Sequence, residues 1–213
     1  VRRQIPRYQI GVVAVAAATA NRYCSARGDT RLYPAAFTLI ELVVVIAIII
    51  VLASLFLGTS TYVQMKSKRS RAEVEIAAMS AALESYKADN GIYPRDTANA
   101  TTDNLDARIS GDPATYRSAS LFLYTQLSGT NPDRSSIPGA RSYFTFQPNM
   151  LIPRDQSSSV TAIADPFGNS YGYSTAYQAN QTTGYNPTFD LWSTGAVTSN
   201  ANPPDQSKWI KNW

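Results

Sequence analysis

The sequence predicts an α+β chain in which one long N-terminal helix, a transmembrane half continued by an amphipathic half, packs on a small antiparallel β-sheet. Three observations carry this. Residues 42–57 form an apolar run in which Ser54 is the one polar residue. Ala72, Ile76, Met79, Leu83 and Tyr86 recur at helical spacing after it. Toward the C-terminal end, short aromatic and β-prone segments alternate with Gly, Pro and Asn turn signals.

The apolar run fixes the first element. As a helix, residues 37–57 rise about 30 Å, the thickness of bilayer hydrocarbon. Their Val and Ile content is poor for a helix in water, but lipid forces the backbone to bond internally and overrides that propensity. Glu41 stands at the leading edge of the run. An ionised carboxylate costs about 2.5–3.5 kcal/mol at mid-bilayer, so Glu41 either stays wet near the membrane surface or pairs with a cation. Gly58 marks a soft point, because glycine lowers helix stability by about 1 kcal/mol relative to Ala.

Residues 59–90 continue the helix in amphipathic form. One face packs on something; the other carries Lys68, Arg71, Glu75 and Lys87, read mostly as solvated charge. Asn90-Gly91 supplies the stop and Pro94 prevents resumption. A stem over residues 37–89 is about 80 Å long, far more than a bilayer needs. Its extra length can bury the apolar stripe under a small domain.

Residues 91–213 are read as that globular β domain, with a variable surface insert over about 99–142. The insert's apolar island, residues 118–127, reads as a short helix packed through Leu121, Phe122 and Leu127. Residues 142–146 (SYFTF) read as a strand, residues 165–177 (DPFGNSYGYSTAY) as a hairpin, and residues 188–193 (TFDLWS) as the next strand. Together they predict a sheet whose aromatic face covers Ile76, Met79, Leu83 and Tyr86.

Composition removes several functions. The chain of 213 residues has no histidine, which excludes a Ser-His-Asp triad, a Cys-His dyad and any His-ligated metal. The net charge of +4 owes much to Arg2, Arg3, Arg7, Arg22, Arg27 and Arg31, all ahead of the apolar run, and predicts no nucleic-acid partner. The one cysteine, Cys24, lies in the same stretch, so the rest of the chain forms no disulfide. Arg2, Arg3 and Arg7, followed by apolar residues 10–20 and an A-x-A ending at Ala20, also read as an ordinary secretory signal, which competes with a second signal described next.

Residues 35–42 (AAFTLIEL) closely resemble the class III signal of type IV pilins and type II secretion pseudopilins. That resemblance implies the type IV pilin fold, removal of residues 1–36 by a prepilin peptidase between Ala36 and Phe37, and methylation of the new amino terminus. It implies that Glu41 pairs with the Phe37 amine of an adjoining subunit during assembly. Ala36 replaces the family's usual Gly before the cut. It further implies an amino terminus in the cytoplasm, one pass through a bacterial inner membrane and a periplasmic domain extruded into a filament. The partners implied are other copies of the chain, the peptidase, minor pseudopilins and the inner-membrane secretion platform.

A second resemblance follows. Asp165-Pro166-Phe167-Gly168-Asn169, Tyr171 and Tyr173, then residues 189–195 (FDLWSTG), are similar to the D-P-W-G-N…Y and F-D-x-x-S-x-G pattern of the major pseudopilin of type II secretion. The absence of a C-terminal disulfide points to the same branch. In that family the following loop holds a structural calcium. Here Val197 stands where an aspartate is expected, leaving Asp205 and loop carbonyls for an ion that favours six to eight oxygens. The leading reading is therefore a non-enzymatic subunit of a secretion pseudopilus. Alternatives are a type IV pilus pilin, a membrane-anchored binding domain presenting Tyr171, Tyr173, Tyr177 and Trp192 to a sugar, and an anchored enzyme using Asp190 and Asp205 as a carboxylate pair.

Overall fold

The computed structural model describes residues 37–197 and 203–213, with side chains throughout except at residues 56–60. The elements are α1 (Leu39–Asn90), α2 (Arg117–Ser128), β1 (Leu151–Ile152), β2 (Ala162–Ile163), β3 (Gly172–Ser174), α3 (Ala176–Ala179), β4 (Asp190–Ser193) and β5 (Ile210–Lys211). The chain is α+β with small antiparallel sheets. It divides into two compact units, Val1–Ile49 and Ile50–Trp213, with the boundary inside α1.

The described part of the first unit is the start of α1. Thr38 opens it: its hydroxyl accepts the Glu41 N–H at 3.3 Å and its carbonyl accepts the Leu42 N–H at 3.2 Å. The first satisfies an amide that a helix start otherwise leaves without a partner, and the second is the first hydrogen bond of the helix itself. α1 has 52 residues. Its apolar side chains from Leu39 to Leu55 are exposed. Among the described residues no helix is long and apolar enough to cross a membrane. The expected span, residues 37–58, runs past Leu55 into side chains outside the description, as does the soft point at Gly58.

In the second unit the stripe on α1 is the floor of the core. Ala72, Ile76, Met79, Ala82 and Leu83 are buried, and Tyr86 packs at the edge. Each fully buried Met or Leu stabilises by about 1.5–3 kcal/mol relative to exposure. α1 stops where the sequence indicated: Gly91 takes a positive φ of 79° and its N–H donates to the Lys87 carbonyl at 2.7 Å.

The strands form two sheets where one was expected. β1 pairs antiparallel with β2, and β4 lies between β3 and β5, both antiparallel to it. A tight turn over residues 165–169 joins the sheets, closed by a bridge between Ala164 and Ser170. In the register of β3 on β4, Gly172 faces Trp192. A Cβ at position 172 would lie 2.2 Å from Trp192 Cε2, so the buried indole requires glycine opposite it. Asn212 clasps β4 from beyond β5: its Oδ1 accepts the Leu191 N–H at 2.9 Å and its Nδ2 donates to the Phe189 carbonyl at 3.1 Å.

Three further expectations change. Residues 142–146 are not a strand, because the Tyr143 and Phe144 N–H groups donate to the Leu127 carbonyl at 2.8 and 3.0 Å at the end of α2. Their rings cover the core instead, with Phe144 and Phe146 centroids 4.7 Å apart. The stretch over residues 99–142 is not wholly a surface insert. α2 buries Ala119, Leu123, Tyr124 and Leu127, whereas Leu121 and Phe122 are half-buried. Leu105, Ala107, Tyr116 and Ala119 form a second core cluster with Trp192 and Trp209. The expected hairpin ends early, since Tyr177 lies on α3 and not on a strand.

Candidate assembly site and the polar anchors of the sheet

Glu41, expected to serve assembly, lies in the first turn of α1, and Phe37, expected to serve processing and assembly, lies two residues ahead of the helix; Ala36 is outside the described residues. Glu41 is exposed among exposed apolar neighbours, Leu39 at 81% and Ile40 at 71%. An acid in a helix's first turn faces the positive end of the macrodipole. With Thr38 as N-cap, Glu41 is also the third helical residue, so Thr-x-x-Glu has the spacing of a capping box. That signal was present in the sequence and escaped the motif reading. Glu41 is thus an exposed anion, set in an apolar collar and oriented by a capped helix end.

A second polar constellation, missed at the sequence level, lies where α1 meets the sheet. Glu75, read as solvated, is buried at 8% exposure. Its Oε1 accepts from Arg71 Nε at 2.7 Å, one helical turn back, and its Oε2 accepts from the Tyr171 hydroxyl at 2.8 Å. Burial first, then the Glu75 carboxylate, holds the Tyr171 phenol well above its ordinary range. The Tyr173 hydroxyl donates to the Pro94 carbonyl at 2.7 Å, and burial raises this phenol too.

The two segments of the second resemblance form one hydrogen-bonded unit. Asp165 Oδ1 accepts the N–H groups of Phe167 and Asn169 at 2.9 and 2.8 Å, and its Oδ2 accepts the Ser193 hydroxyl at 2.5 Å. Asn169 Nδ2 donates to the Gly195 carbonyl at 2.8 Å. Burial pushes the Asp165 carboxyl above its ordinary value, against the hydrogen bonds that favour its charged form. Asp190 is held likewise by the N–H groups of Tyr185 and Asn186, both at 2.8 Å, with burial raising its pKa. These carboxylates are consumed by backbone donors, which makes them anchors of loops.

The remaining candidates fare differently. Asp205 is exposed and its Oδ1 accepts the Ser207 N–H at 2.9 Å; that backbone bond foremost lowers its pKa. Among the described residues no group of three or more acidic, cysteine or histidine side chains is placed to hold a metal, and the loop at 198–202 lies outside the description. Asp190 is buried on loop amides while Asp205 caps its own exposed turn, so their hydrogen bonding does not couple them as a catalytic pair. Tyr171, Tyr173 and Trp192 are fully buried, so they cannot present a sugar platform; Tyr177 is half-buried. Their alternation served the core, where the Trp192 and Trp209 rings stack 6.1 Å apart. Comparison of the sequence with protein-family models and with curated proteins finds no match.

Proposed function

We propose that this chain is a structural subunit of a pilin-like filament of type IV pilin fold, best read as the pseudopilus of a type II secretion system. One observation carries the reading: an exposed Glu41 in an apolar collar on the first turn of a 52-residue helix, within a sequence that resembles a prepilin cleavage signal. Cleavage before Phe37 frees an amine, and Glu41 of a neighbouring copy pairs with it as the stems bundle in the inner membrane. Burying both charges costs several kcal/mol per ion before pairing, so the pair sets axial register more than it adds stability. A pilus pilin shares all these parts and differs only in what the filament does.

The Thr38 to Glu41 bond favours a second reading, in which Glu41 caps a helix that tethers a single domain. Gln serves a capping box as well as Glu, but it carries no charge to pair with an amine. Mass spectrometry of the mature protein should find Phe37 as a methylated amino terminus. Both Glu41→Ala and Glu41→Gln should abolish filaments while leaving the chain in the membrane. Normal filaments from Glu41→Gln would replace pairing with capping.

A further inference from the structure

Beside the helix stretch that follows the exposed apolar segment of α1 lies an open cleft of about 380 Å³ within the second unit. Its walls are mostly apolar, with Tyr62 and Met65 from α1 facing Phe167 and Ile210 from the sheet side. Lys66, Arg69 and Lys208 also line it, and among the described residues no carboxylate belongs to the lining. Lys68 stands close by, its Nζ 5.9 Å from the Phe167 ring centroid.

The three cations are not equivalent. Arg69 is committed to structure: its guanidinium meets Glu73 at 3.2 Å and donates to the Lys208 and Trp209 carbonyls at 3.1 and 3.4 Å, tying the approach to β5 onto α1. Lys66 and Lys208 are exposed and carry no ion pair among the described residues. Asp205, exposed outside the lining, lies close enough to Lys208 for their charges to interact, but it makes no ion pair with it. Two exposed ammonium groups at the mouth of an apolar cleft complement an amphiphile with one anionic end. A free anion would leave the apolar walls unused, and a neutral lipid would leave the lysines unused.

We propose that this cleft holds the headgroup of an anionic phospholipid of the membrane that anchors the chain, with Lys66 and Lys208 on the phosphate and Tyr62, Met65 and Ile210 against the glycerol and first methylenes. Tyr62 follows Leu55 by about two helical turns, roughly 10 Å of rise, which puts the cleft at headgroup depth when the apolar segment is in lipid. The inference rests on the membrane-anchored reading of the chain, not on filament formation.

The test is native mass spectrometry of the full chain released from detergent, with dihexanoyl phosphatidylglycerol or dihexanoyl phosphatidylcholine added. The unmodified chain should retain one phosphatidylglycerol in preference to phosphatidylcholine. K66A/K208A should weaken that retention by about tenfold or more, from the loss of two near-surface cations. Unchanged melting of the variant by circular dichroism separates lost binding from lost folding. Equal retention of the two lipids, or undiminished retention by the variant, would overturn the proposal. So would full displacement by equimolar inorganic phosphate, which assigns the lysines to a free anion, or dimer adducts in place of lipid adducts, which assign the cleft to a second copy. The Glu41→Ala chain should bind lipid normally, so that failure of assembly and failure of lipid binding are told apart.

Discussion

The Tyr171 hydroxyl donates to Glu75 Oε2 at 2.8 Å, joining the sheet side of the core to the buried face of α1 across 96 positions of sequence. Glu75 is thereby satisfied on both oxygens, by Tyr171 and by Arg71, and can be buried without an unpaired charge. Tyr171→Phe keeps the ring and removes only the donor. It should destabilise the domain by about 1–3 kcal/mol, the cost of leaving a buried acceptor unpaired. Urea denaturation at neutral pH reads the loss; an unchanged midpoint means that water replaces the hydroxyl.

The stem face should behave as core and its opposite face as surface. Met79→Ala, at a position without exposure, should cost about 2–5 kcal/mol. Val74→Ala, four residues from Ala78 on the outer side and 65% exposed, should stay within about 0.5 kcal/mol. Thermal melts of the two variants check the contrast, and similar losses from both would mean that α1 does not pack on the domain as described.

Gly172→Ala drives a methyl into the Trp192 indole at 2.2 Å. The strand pair must shift to relieve it, at a cost of about 1–3 kcal/mol or more. Tryptophan fluorescence should change together with the melting temperature. A variant with native fluorescence and stability would show that β3 and β4 do not run in this register.

Stability should also depend on the protonation of Asp165. Its folded pKa is raised above the ordinary 3.8, chiefly by burial. A carboxyl raised in this way favours folding when protonated: that contribution is complete below the ordinary value and disappears as pH rises through the folded one. Asp190 shifts in the same direction for the same first cause, while hydrogen bonds lower Asp133, Asp155 and Asp205 and act oppositely. The comparison with Asp165→Asn isolates the one group. As pH falls from 7 toward the ordinary carboxyl value of 3.8 the unmodified chain should gain in urea midpoint relative to Asp165→Asn, and parallel profiles would contradict the raised pKa.

Calcium should do little. Asp205 already holds its own turn through Ser207, and no other described carboxylate joins it in a metal cluster. Excess chelator or millimolar calcium should leave the melting temperature within about 1 °C of its starting value, because an ion stabilises only when its concentration exceeds its dissociation constant. A rise with calcium would place ligands in the loop outside the described residues.

The features legible in the sequence are those with a local physical signature. Ala72, Ile76, Met79 and Leu83 announced themselves because a helix on one core buries one face at a fixed period. Gly91 and the Asp165–Asn169 turn were readable because each uses residues whose backbone or side chain makes that bend. Glu75 was misread because its partner is remote, and nothing at positions 71–79 reveals Tyr171. Residues 142–146 were misread because β propensity records side chains, whereas their amides were claimed by a helix end. α2 was undervalued because its polar surroundings resemble a loop, although Leu123 and Leu127 lie one turn apart on its buried side.

Asn212 makes the outer edge of β4 depend on the far end of the sequence. The middle strand of the three-stranded sheet cannot complete its second edge until the clasp arrives from 21 positions downstream. A chain lacking the residues after Ser193 would expose one open ladder of amides and carbonyls along β4. The last residue but one of the sequence thus decides whether the edge of the central strand is covered or left open to a foreign strand.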